Sequence, residues 1–140
     1  MTAIQRKIMA LTLSGKGVEV CAGSEKTALP FGASAKHVAT QTTEQHRKAF
    51  GEKAPAVDVK VRDLNSAWTG PQTKRRPNFV ILNSEAVTCS SNPIGLILAW
   101  SDRLAMRGQL IVAFPGRGQR AVEGRPITPM EHLYSDLKRR

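Results

Sequence analysis

The chain has 140 residues, 41% hydrophobic and only 5% aromatic, with a formal charge of +10 and a pI near 10.3. That length suits a single domain, 1–140, whose core is built from Ile, Leu, Val, Ala and Met, and it excludes two comfortable domains. Two cysteines, Cys21 and Cys89, make neither a disulfide scaffold nor a four-ligand zinc site, and no run approaches the roughly 20 apolar residues of a bilayer span.

The first residues, MTAIQRKIMALTLSGKG, lack the apolar core of a secretory signal. The expectation is therefore a cytoplasmic protein in a reducing compartment, with no membrane partner. Ile8 to Leu13 reads as a strand, Ser14-Gly15-Lys16-Gly17 as a turn and Val18-Glu19-Val20 as the return strand of a hairpin. Thr27 to Ala33, with Pro30 and Gly32, reads as a loop. Ser34 is placed to cap a helix that runs to Phe50 and stops at Gly51.

Ala56 to Arg62 alternates, with Val57, Val59 and Val61 on one face and Asp58, Lys60 and Arg62 on the other, the pattern of a strand with one solvated face. Residues 65–77 form a basic loop. Phe79-Val80-Ile81-Leu82 is apolar throughout, as a buried strand should be. Asn92 or Ser91 caps a helix that begins at Pro93 and closes at Gly108, and Gln109 to Phe114 is a further apolar strand. Strand, helix and strand in that order predict a parallel βαβ crossover. Thr128-Pro129-Met130-Glu131 opens a last helix that ends in Lys138-Arg139-Arg140. The fold class is thus α/β (or α+β): a mixed sheet of four or five strands with one parallel βαβ unit and about three helices.

Charge supplies the first functional reading. Residues 1–50, 51–100 and 101–140 carry +4, +2 and +4, so the excess is spread along the chain. Its clusters are Lys74-Arg75-Arg76, Arg117 with Arg120 in a glycine-rich loop, and Lys138-Arg139-Arg140. Lysine and arginine in such loops neutralise backbone phosphates, and Trp68 could stack on a base. These eight residues are the candidate nucleic-acid contacts, and the expected partner is nucleic acid or another polyanion.

The other constellations are thin. The segment Gly116-Arg117-Gly118-Gln119-Arg120 has neither Walker nor dinucleotide spacing, so no cofactor is implied. Asp58 and Lys60 share a strand face, as an acid and a lysine do in metal-dependent nucleases, but no second acid is singled out. His37, His46 and His132 have no metal-ligand spacing with each other or with the cysteines, and read as surface or half-buried side chains. No catalytic residue and no metal ligand is assigned.

Phe79 to Pro115 resembles the STAS domain of anti-sigma-factor antagonists. Ser90-Ser91 stand where that family has its serine pair, Gly95 where a glycine recurs at the helix start, and Gly108 at the helix end. Cys89 and Asn92 depart from the family's aspartate and glycine. The resemblance implies a protein-binding adaptor switched by phosphorylation at Ser90 or Ser91. The leading expectation is non-enzymatic binding of nucleic acid, or of a nucleoprotein assembly, through cationic loops. The STAS-like adaptor is the alternative and a metal-dependent nuclease comes third.

Overall fold

The computed structural model describes residues 12–65, 75–114 and 130–138. Five strands, β1 (Gly15–Val20), β2 (Ala33–Ala39), β3 (Val59–Lys60), β4 (Phe79–Leu82) and β5 (Gln109–Val112), form one sheet in the order β3-β2-β1-β4-β5. Every neighbouring pair is parallel. The helices are α1 (Thr43–Phe50), α2 (Ser84–Cys89), α3 (Pro93–Ser101) and α4 (Met130–Lys138), three of eight residues or more and one short. No helix among the described residues is long and apolar enough to cross a membrane.

The α/β class, the five strands and the β4-to-β5 crossover agree with the sequence. The mixed character does not, because the expected hairpin is absent from the described sheet. Gly15, Lys16 and Gly17, read as a turn, are the first residues of β1, and Ile8 to Leu11 lie outside the described residues. Gly17 is a strand residue for a packing reason. It stands opposite Phe79 in the β1–β4 register, and a Cβ there would overlap the Phe79 ring. The glycine that reads as a turn signal is the notch that admits the largest side chain of β4.

The helix expected from Ser34 begins only at Thr43. Residues 33–39 pair along β1 instead, with Ser34 and Lys36 exposed and Val38 fully buried. The actual cap is Thr42, whose hydroxyl accepts the Gln45 N–H while the Gln45 amide oxygen accepts the Thr42 N–H. α1 does stop at Gly51, as read. α3 is capped by Asn92, whose Oδ1 accepts the Gly95 N–H at 2.8 Å, and it ends at Ser101 rather than continuing to Gly108. There Arg107 takes a left-handed φ of 63°, and the Gly108 N–H returns to the Ala105 carbonyl.

Both faces of the sheet are covered. On one, Val18, Val20, Val38, Val80 and Leu82 pack under Ala86 and Val87 of α2 and Leu96 and Trp100 of α3. The Trp100 indole N–H donates to the Leu64 carbonyl at 3.0 Å, which satisfies its one polar atom inside the core. On the other, Phe79 and Ile81 pack with Leu13, Leu29, Ala33 and Ala35. A parallel sheet buried on both faces explains why β4 reads as a continuous apolar run. The strand order is that of a doubly wound, Rossmann-like sheet, which reverses direction of winding between β1 and β4.

Candidate functional site at the carboxyl ends of β1, β2 and β4

Sheets of this kind take their ligands outside the carboxyl ends of the strands, where the winding reverses. Here that point is the loop after β1, Cys21-Ala22-Gly23-Ser24-Glu25-Lys26, flanked by the ends of β2 and β4. Two of its residues are left-handed, Cys21 with φ 54° and Gly23 with φ 66°. A left-handed non-glycine residue is strained, by about 1–2 kcal/mol, so the surroundings must hold it.

Four side chains hold it. The Ala22 N–H donates to Nε2 of His37 at 3.0 Å, and the His37 Nδ1 faces the Ala56 carbonyl at 3.0 Å. A carbonyl only accepts, so the proton sits on Nδ1 and the ring is neutral. His46 Nε2 donates to the Gly23 carbonyl at 2.8 Å. The two imidazoles meet edge to face with centroids 4.8 Å apart. Burial pushes the His37 pKa below its ordinary value; the nearby His46 and Lys26 add to this, against the opposing pull of the Ala56 carbonyl and Glu19.

The third holder is Glu19, 1% exposed, on β1 itself. Its Oε1 accepts from the Thr27 N–H at 2.9 Å, the Thr27 hydroxyl at 2.7 Å and the Asn83 amide at 3.0 Å. The carboxylate thereby ties the end of the β1 loop to the residue that follows β4. The fourth is Asp58, whose Oδ2 accepts the His37 backbone N–H at 2.7 Å and pairs with Lys26 at 3.3 Å. Partial burial alone would raise its pKa, but the His37 N–H and the Lys26 charge outweigh that and hold it below the usual carboxylate value.

From the β4 side, Glu85 of α2 leans over the loop. Its Oε1 lies 3.1 Å from the point where a Cβ on Gly23 would stand. Glycine here supplies both the backbone angle and the room for that approach. Burial pushes the Cys21 thiol up to about 12, with Cys89 and Glu85 adding to the effect. Cys21 is therefore a protonated, unreactive thiol at neutral pH.

The residues singled out by charge lie elsewhere. Arg75 and Arg76 precede β4 at the amino ends of the strands, the opposite edge from this loop, and Arg76 reaches the Asp102 and Leu104 carbonyls at 3.4 Å. Lys138 is exposed on the last turn of α4. Lys74, Arg117, Arg120, Arg139, Arg140 and Trp68 fall outside the described residues. Ser90 is half-buried, donating to Asn65 at 2.8 Å and accepting the Asn92 N–H at 3.1 Å, while Ser91 is exposed beside the cap of α3.

Sequence reading missed Glu19, Gly23, His37, His46 and Glu85. His37 and His46 are almost fully buried rather than half-exposed. The available signal was an acid set between two valines and followed two residues later by Cys-Ala-Gly, which marks a strand that ends in a tight turn.

No family model and no curated protein matches the chain. Two solved structures do. One is the glycopeptide N-methyltransferase MtfA complexed with (S)-adenosyl-L-methionine, with TM-score 0.55 and 19% identity over 88% of this chain and 57% of that one. The other is again the glycopeptide N-methyltransferase MtfA, with TM-score 0.56 and 19% identity over 91% of this chain and 58% of that one. The chain thus spans somewhat over half the length of the structures it matches, and what it shares with them is the fold.

These matches correct the functional expectations. The STAS resemblance rested on a capped strand–helix–strand unit. That unit is real, but it is the β4-to-β5 part of a five-stranded parallel sheet whose whole architecture matches a methyltransferase. The STAS-like adaptor falls with it. Non-enzymatic nucleic-acid binding by cationic loops is overturned by the same likeness. The nuclease reading is overturned by that likeness as well, and Asp58 is engaged by the His37 N–H and Lys26.

Proposed function

We propose that this chain is the cofactor-binding part of a methyltransferase and holds S-adenosylmethionine at the loop after β1. The observation that carries the reading is the form of that loop. It has one glycine, left-handed and buried, and no helix follows it before β2. A dinucleotide site uses several glycines and a helix N-terminus to receive its pyrophosphate. A loop with neither suits a cofactor that has no phosphate, and S-adenosylmethionine is such a molecule. The fold likeness to a methyltransferase that holds it supports the choice.

The residues present fit the group. The bare α-carbon of Gly23 leaves a cradle that a Cβ would fill, bounded by Glu85. The backbone of residues 23–25 and the side chains of Thr40 and Gln41, which follow β2, are the groups that would hold it. When bound, the cofactor supplies a methyl group on positively charged sulfur, which a nucleophile takes while the sulfur leaves as a neutral thioether. The chain's own part is preorganisation: His37, His46 and Glu19 fix the loop before any ligand arrives, so little ordering is left to binding.

Isothermal titration with S-adenosylmethionine and, separately, with a nicotinamide dinucleotide tests this. Binding of the first and not the second is expected. Dinucleotide binding alone, or neither, sinks the reading.

A further inference from the structure

The first bend of the loop after β1 is closed by a bond whose donor is fixed. The Ala22 amide can only donate, and it donates to Nε2 of His37 at 3.0 Å, while Nδ1 of the same ring donates to the Ala56 carbonyl at 3.0 Å. Both ring nitrogens are used, and the arrangement exists only for the neutral imidazole. A further proton has one place to go, Nε2, where it would set N–H against N–H around a fully buried side chain. The bond to Ala22 does not survive that step.

The surroundings decide which part then moves. His46 offers no equivalent break: it donates through Nε2 to the Gly23 carbonyl at 2.8 Å, and an imidazole that donates this way keeps the bond when its other nitrogen is protonated. On the strand side nothing gives, because Asp58 accepts the His37 main-chain N–H at 2.7 Å and β2 is paired along β1. On the loop side Cys21 is a left-handed non-glycine residue with φ 54°, strained while Ala22 is held and free to relax once it is let go. Among the described residues, the charged or titratable groups that act on the ring are Glu19 on β1, Lys26 in the loop, His46 on α1 and Asp58 before β3. Burial opposes a charge on the ring most; the Ala56 carbonyl favours one, and His46 and Lys26 oppose it against Glu19 and Asp58.

We propose that His37 is a proton-operated latch on the loop after β1: the neutral ring holds the loop in its ordered shape, and uptake of a proton at Nε2 releases Ala22 and lets residues 21–23 rearrange while the sheet stays paired. The proton comes from solvent and no covalent bond to carbon changes. The device stands on these hydrogen bonds and holds whichever ligand the site takes. It makes the switch-point loop acid-sensitive over a range in which the chain is still folded.

The test is an NMR titration of the whole chain without ligand, from about pH 8 to about pH 4, a range that brackets the ordinary histidine pKa. It follows the ring nitrogens of both histidines together with the backbone amides of Ala22 and Gly23 in the loop and of Val18 and Val80 in β1 and β4. His37 should pass from the Nδ1–H tautomer to the cation, and the Ala22 amide should lose its hydrogen-bonded shift with the same midpoint. The Val18 and Val80 amides should hold their positions through that midpoint. His37→Gln should abolish the Ala22 transition and His46→Gln should leave one in place, and the wild-type titration decides the matter without either variant. An Ala22 amide that stays put while His37 titrates overturns the latch. Loss of the Ala22, Val18 and Val80 signals in one step also overturns it, since the acid response is then unfolding of the whole chain.

Discussion

Glu19 and His37 stand opposite each other in the β1–β2 register, and each accepts a backbone N–H from the loop that follows β1. Glu19 takes Thr27 and His37 takes Ala22. Two side chains on neighbouring strands thus clamp the two ends of one loop, which makes the shape of the candidate site a property of the sheet.

The His37 half of that clamp is sensitive to pH. Its pKa in the fold lies below the ordinary 6.5, whereas the unfolded chain takes up a proton near that value. The unfolded state therefore binds more protons, and the stability due to this group is complete above about pH 6.5 and declines as pH falls through that value toward the folded pKa. Denaturant unfolding between about pH 5 and 8 should show the decline, and His37→Gln should remove it. The substitution itself should cost about 1–3 kcal/mol, because a buried acceptor is lost.

Asp58 and Lys26 should behave unequally although they form one ion pair. Both are about two-fifths exposed, so Lys26→Ala should change stability by less than about 1 kcal/mol. Asp58→Ala also strips the His37 N–H of its acceptor and should cost more, on the order of 1–2 kcal/mol. The Asp58 pKa is depressed, so its contribution is present above the unfolded value of 3.8 and is lost as pH drops below it. Equal effects of the two substitutions would show that the backbone bond carries no weight.

Gly17→Ala should destabilise the fold without touching the candidate site. The new methyl would overlap the ring of Phe79, which is 1% exposed and has no room to swing. Overpacking of this kind costs about 1–3 kcal/mol. Phe79→Leu in the same chain should recover part of the loss, measured as a shift in urea midpoint.

Gly23→Ala makes the contrasting case. A side chain at φ 66° costs about 1–2 kcal/mol, and its Cβ would come within 3.1 Å of Glu85 Oε1. The stability loss should be similar in size to that of Gly17→Ala, but cofactor affinity should fall at least tenfold only for Gly23→Ala. Titration of both variants with S-adenosylmethionine separates a site effect from general destabilisation.

Local signals in the sequence were reliable where structure is local. The apolar run of β4, the Asn92–Pro93 start of α3, the Gly51 stop and the β4-to-β5 crossover all follow from spacing and capping. Ala33–Ala39 was not legible as a strand, because its pairing with β1 is a tertiary fact that overrides weak local preference. The site was hidden for a related reason. Glu19, His37, His46 and Glu85 are far apart in sequence and meet only when parallel strands align their carboxyl ends, whereas the basic clusters are conspicuous because they are contiguous.

The paired imidazoles also have a kinetic meaning. A surface loop held only by its own turns would open on its own, and its amides would exchange with solvent while the rest of the protein stayed folded. The Ala22 amide instead bonds to a ring carried by β2, and the Gly23 carbonyl receives a proton donor carried by α1. Opening this loop requires loosening a strand and a helix together, so the Ala22 amide should exchange on the timescale of the central strands rather than on that of a loop.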